Sequence, residues 1–163
     1  MQVQPPAPSG REANTTYEAE FIQLVHEGHS QMMQELQERT KREEYQVKVA
    51  KINRYLAGSP MSGLGDWIVT EAGRTGCNPF LCPAQATAES SNGVQNCGSY
   101  NPFGMLGMSF GSWRDAVTHY FDNIVAHWGP VQSIYQMPGY CVPDHPYMEN
   151  VQGIVDAIER IEL

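Results

Sequence analysis

The sequence predicts a mainly α fold. From Thr15 to about Leu56 only Gly28 interrupts a helix-favouring stretch, later segments repeat apolar residues at helical spacing, and the alternation that strands need is scarce. Any sheet is expected to be no more than a short β-hairpin within residues 90 to 110.

Each element follows from local chemistry. Residues 1 to 14, rich in Pro, Gln and small side chains, predict a disordered lead-in. Residues 15 to 56 predict one long helix, with Ile22, Val25, Met32, Leu36 and Ala50 near heptad spacing. Arg39, Glu43 and Gln46 interrupt that seam, so both a self-associating coiled coil and an exposed linker helix fit. The proline and glycines of "LAGSPMSGLG" then set a boundary, and residues 57 to 163 form the expected domain. Within it, "GDWIVTEAGRTG" predicts a helix with Asp66 at its cap and Gly73 or Gly76 as its stop. "NPFLCPAQATAES" predicts a second, with Asn78 as cap and Pro79 in the first helical position. In "GSWRDAVTHYFDNIVAHWG", Ser112 and Asp115 make a capping-box-like start ahead of an apolar face running from Ala116 to Trp128. "DHPYMENVQGIVDAIERIEL" closes the chain as an amphipathic helix through Tyr147, Val151, Val155 and Ile158.

Composition narrows the function classes. A net charge of -8 and the lack of a clustered basic patch argue against nucleic-acid binding, which draws on released counterions. The acidity is concentrated: residues 1 to 56 hold eight acids and seven bases, whereas the remainder holds ten acids and three bases. No run approaches a membrane span, and "MQVQPPAPSG" has neither the basic nor the apolar region of an export signal. Cys77, Cys82, Cys97 and Cys141 are an even set that suits an oxidised compartment, with buried free thiols as the alternative use. Together these predict a piece of an exported protein, or one released by another route. The cysteines lack zinc-site spacing, and the helical pair His119 and Asp122 is too small a set for a metal, so neither metal nor cofactor is expected.

The most informative residue is Glu89. It follows the small, mostly apolar run "PAQATA" at a helix end and precedes the polar loop "SSNGVQNCGSY". An apolar setting and the negative end of a helix dipole both favour the protonated form of a carboxyl group, as a general acid requires. An exposed helix-end carboxylate is the plainer reading of the same spacing.

The ordered set "NPFLCPAQATAESSNG", "YNPFGM", "SFGSWRDAVTHYFDNI" and "YCVPDHPYMENVQGIVDAI" resembles the lysozyme-like glucosaminidase domains of bacterial cell-wall hydrolases, glycoside hydrolase family 73, and the related lytic transglycosylases. The resemblance spans roughly residues 57 to 161 and implies a lysozyme-like helical domain that cleaves peptidoglycan glycan strands. It implies Glu89 as the catalytic acid. It also implies that Ser90 and Gly93 form the turn opening the cleft, that Tyr100, Asn101, Phe103, Gly104 and Met105 line the sugar groove, and that Tyr147 points at the catalytic region. For Phe103 and Tyr147 the alternative is core packing.

Departures from the family leave the mechanism open. No Asp or Glu lies between Glu89 and Asp115, so the second carboxylate that hydrolysis usually employs would have to be Asp115, Asp144 or Glu71. A single carboxylate also fits lytic transglycosylation, or hydrolysis assisted by the substrate's own N-acetyl group. The cysteines depart as well: the resemblance suggests Cys97 joined to Cys141 and Cys77 to Cys82, one of three connectivities open to them. An extracellular or cell-wall location follows from the resemblance. A catalytically silent wall-binding module of a secretion, conjugation or phage tail apparatus is the other function it allows.

Overall fold

The computed structural model describes residues 10–141 and 144–163. The mainly α architecture is observed: the elements are α1 (Gly10–Tyr55), α2 (Gly65–Thr75), α3 (Leu81–Ser90), α4 (Trp113–Trp128) and α5 (Asp144–Glu159), with a short 3-10 turn at Ile134–Gln136 before α5. Among the described residues none is in a strand, so the hairpin expected near residues 90 to 110 is replaced by successive turns.

Helix α1 begins at Gly10, inside the expected lead-in, because Arg11, Glu12 and Ala13 all sustain a helix. Residues 1–9 of that lead-in lie outside the described residues. The chain forms two units, residues 1–43 and residues 44–163, so the division falls within α1 rather than after it. In the first unit every described side chain from Tyr17 onward is exposed.

The second unit is organised around α3. Leu81 to Ala86 are all buried, a helix enclosed on every side, as its small and apolar sequence allows. It packs against α5 and α4, while α2 packs against α4. The core joins Ile52 and Leu56 from the end of α1 to Ile68 and Ala72 of α2, Phe121 and Ile124 of α4, and Val151, Val155 and Ile158 of α5. Each of the larger of these side chains contributes about 1.5–3 kcal/mol on burial. Adding bulk at Ala84 or Ala86, both fully buried, would cost about 1–3 kcal/mol through overpacking.

Local contacts fix the helix ends. Asn78 does not cap α3 directly; its Oδ1 accepts from the Phe80 amide at 2.9 Å, making a turn ahead of the helix. Asp66 does not cap α2 either, since its Oδ1 accepts from the Tyr45 hydroxyl at 2.7 Å and so ties the end of α1 to α2. Ser112 does cap α4, its Oγ accepting from the Asp115 amide at 3.1 Å. The last turns of α1 are held further by Arg54 donating to the Glu162 carbonyl at 2.9 Å.

Candidate functional site

Helix α3 ends where the sequence turns polar, and this places Glu89 on its last turn, half-buried. Ser91, Asn92 and Gly93 follow with φ of 52, 57 and 88°, consecutive left-handed residues that reverse the chain immediately beyond the helix. Ser90, buried, joins that reversal to the next loop. Its hydroxyl proton is shared between the Ala86 carbonyl at 3.0 Å and the Pro102 carbonyl at 2.8 Å, and its oxygen accepts from the Gly93 amide at 2.9 Å. Ser90 and Gly93 therefore build the turn, Gly93 additionally because a Cβ there would stand 2.6 Å from Cη2 of Trp113.

The Glu89 carboxyl group meets two other segments. Tyr147, on the first turn of α5, donates its hydroxyl proton to Oε1 at 2.7 Å. The other oxygen, Oε2, lies over Gly104, where a Cβ would come within 2.8 Å of it and where φ is +63°. Any other residue at position 104 would meet both the carboxylate and an unfavourable backbone conformation. Burial pushes the Tyr147 phenol well above its ordinary range, and the neighbouring Tyr140 phenol and Glu89 carboxylate add to the push. Burial likewise raises Tyr140, with Glu89 the next cause; its ring stacks on that of Tyr147 at 5.7 Å. Both phenols keep their protons at neutral pH, so Tyr147 is a permanent donor to Glu89.

Several groove residues expected from the sequence have other duties. Asn101 has no exposed surface: its Nδ2 donates to the carbonyls of Met105 at 2.7 Å and Met108 at 3.1 Å, and its Oδ1 accepts from the Met105 amide at 3.3 Å. It fastens the loop to itself because that loop has no strand ladder to satisfy its backbone groups. Phe103 is buried and stacks on Tyr120 at 4.4 Å, so it belongs to the core. Met105 is half-buried against the core. Tyr100 remains exposed, holds φ of 52°, and sets its ring edge-on to Trp113 at 5.1 Å. That conformation is uncommon for a bulky residue and presents the aromatic pair at the loop surface.

Neither described candidate for a second carboxylate is brought to Glu89 by any contact. Asp115 is exposed on the first turn of α4, where its charge complements the helix N-terminus. Glu71 is buried and paired with Arg74 at 2.6 Å, and Arg74 also pairs with Asp122 at 2.6 Å. The side chain of Asp144 lies outside the described residues. The disulfide expectation is corrected, since all four cysteines are free thiols. Cys82 sits wholly within the core of α3, where burial raises its thiol, while the Cys97 sulfur accepts from Asn101 at 3.3 Å.

Sequence reasoning missed the groups behind the site, namely Gln85, Tyr120 and Tyr140. Gln85 has a visible signal: it is an amide one helical turn before Glu89 in a run of small residues. Tyr120 fits the apolar face of α4 and signals only packing. An apolar groove elsewhere, lined by Val47, Lys51, Phe80 and Glu159 among others, shares no residue with the Glu89 site.

The arrangement can move a proton. One carboxyl oxygen is occupied by a fixed donor and the second lies over a glycine, where a helix end, a stapled loop and the start of another helix meet. Compared with known proteins, the chain matches no family model and no curated protein, and the chemistry around Glu89 carries the functional reading.

Proposed function

We propose that residues 44–163 form a lysozyme-like domain that cleaves the glycan strands of peptidoglycan, with Glu89 as its general acid and base. The observation that carries this reading is the 2.7 Å hydrogen bond from Tyr147 to Glu89, which joins residues far apart in sequence at the acid that the motif order singles out. In the reaction, protonated Glu89 gives its proton to the glycosidic oxygen as the C1–O bond breaks, leaving an oxocarbenium-like sugar. The Glu89 carboxylate then takes a proton from the incoming nucleophile. If that is a hydroxyl of the same sugar, a new C1–O bond closes an anhydro ring; if it is water, a reducing end forms. The exposed Tyr100 ring, set edge-on to the half-buried Trp113, offers an aromatic surface for a sugar ring. The same chemistry implies work outside the cell or at its wall.

Purified peptidoglycan incubated with the parent protein and with Glu89→Gln, followed by mass spectrometry of soluble products, tests this. Anhydro sugars from the parent alone mark a transglycosylase, reducing ends mark a hydrolase, and equal digestion by Glu89→Gln refutes the assignment. A second reading draws on the stretch of α1 upstream of Glu44, whose exposed apolar side chains suit anchorage in a larger assembly and favour a wall-associated module without turnover. Binding without products from the parent is its expected result.

A further inference from the structure

Gln85 is a wholly buried amide in the middle of α3, a setting that is costly unless both its ends are hydrogen-bonded. Both ends meet tyrosines. Tyr120, itself buried, donates to Oε1, and Nε2 donates to the Tyr147 oxygen at 3.4 Å. The direction of this chain follows from the placement of the amide, with Oε1 at Tyr120 and Nε2 at Tyr147. A carbonyl oxygen only accepts, so the proton of Tyr120 is spent on Oε1 and the amide N–H goes to Tyr147. The Tyr147 oxygen accepts there, and its one proton goes to Glu89 Oε1 at 2.7 Å. With the amide reversed, Oε1 would draw the Tyr147 proton away from Glu89. Phe103, stacked at 4.4 Å, and Phe121, edge-on at 5.0 Å, confine the Tyr120 ring that sets the orientation.

We infer that Gln85, oriented by Tyr120, is a positioning residue that aims the Tyr147 hydroxyl proton at Glu89 and leaves Oε2, over Gly104, as the oxygen that exchanges a proton with substrate. The role of Oε2 rests on the proposed acid and base chemistry of Glu89; the aim of the Tyr147 proton does not. It gives Tyr120, which bonds neither Glu89 nor Tyr147, a share in the site. Burial raises the Tyr120 phenol far above its ordinary range, so it remains the donor at the head of the chain.

The test uses the full chain. Proton NMR follows the hydrogen-bonded Tyr147 hydroxyl, identified by its loss in Tyr147→Phe, in the parent, in Tyr120→Phe and in the pair Gln85→Leu with Tyr120→Phe. The pair removes both polar partners together and so leaves neither unsatisfied. The expected result is that the low-field hydroxyl signal disappears or moves upfield in both variants. Cleavage of soluble peptidoglycan fragments is expected to lose about tenfold in kcat with KM unchanged. An unchanged hydroxyl signal in both variants overturns the inference. A parent that binds but never cleaves overturns the proposed function instead, and the hydroxyl signal still decides the role of Gln85.

Discussion

The two ends of α1 are a controlled comparison within one helix. Between Tyr17 and Glu43 it exposes large apolar side chains, with Phe21 at 69% and Leu24 at 71% of full exposure. Between Glu44 and Tyr55 it buries Ile52 completely, and Leu56 follows at once, also fully enclosed. Backbone and helix propensity are alike in the two stretches; what differs is whether other elements cover the apolar face. The upstream stretch relies on propensity and on helical neighbours such as Arg39 with Glu43 at 2.9 Å. The downstream stretch is part of a core.

The sharpest way to break this comparison is to make one substitution at each end. Leu56→Ala should lower the unfolding free energy by about 2–5 kcal/mol in urea melts, whereas Leu24→Ala should change it by no more than about 0.5 kcal/mol. Equal losses would show that the upstream face is covered, and a second copy of the chain would then be the first partner to seek. Removing residues 1–43 should accordingly preserve cooperative melting, while removing residues 1–56 should abolish it, because the longer cut strips Ile52 and Leu56 from the core.

Gly104→Ala acts inside the second unit alone. The added methyl meets Glu89 Oε2 and a φ of +63°, so about 1 kcal/mol or more of stability and most of the cleavage activity should be lost together. Full activity in that variant would separate Gly104 from the site. A smaller effect is expected from alkali. The Tyr147 and Tyr140 phenols are raised by burial, so the stability they contribute is complete below the unfolded value of about 10 and declines as pH rises beyond it. Melting temperature against pH should therefore fall more steeply above about pH 10 in the parent than in Tyr147→Phe. The smallest effect belongs to Asp115→Asn, which keeps the amide bonded to Ser112 and should cost about 1 kcal/mol or less with activity unchanged.

The legible parts of the molecule are those that depend on neighbours in sequence. The face of α4 from Ala116 to Ile124, the Ser112 cap, and the ending of α3 in a run of polar and glycine residues all follow from periodicity and turn chemistry. The same reasoning brought attention to Glu89, and the family resemblance to Tyr147; the two are found bonded to each other. The resemblance placed Asn101 and Phe103 at the groove, with core packing as the alternative for Phe103, and both are buried; a loop's sequence does not say which side chains turn inward. With no ladder available, the loop draws Asn101 inside to satisfy its carbonyls, and Phe103 finds a flat partner in Tyr120. The cysteine pairing failed for a related reason: an even count and a spacing carry no information on which sulfurs approach one another.

What the sequence by itself determined is the set of helices, the breaks between them, the Ser112 cap, and the carboxyl group at the lip of the central helix, since these rest on contacts a few residues apart. Only the tertiary structure decided that the last turns of α1 join the core while its described side chains upstream of Glu44 are exposed, that Glu89 faces Tyr147 and Gly104, and that Gln85 stands between two tyrosines. Those outcomes depend on which distant surfaces close over each side chain, and burial makes each polar group take the partner within reach or bear the full cost of leaving water.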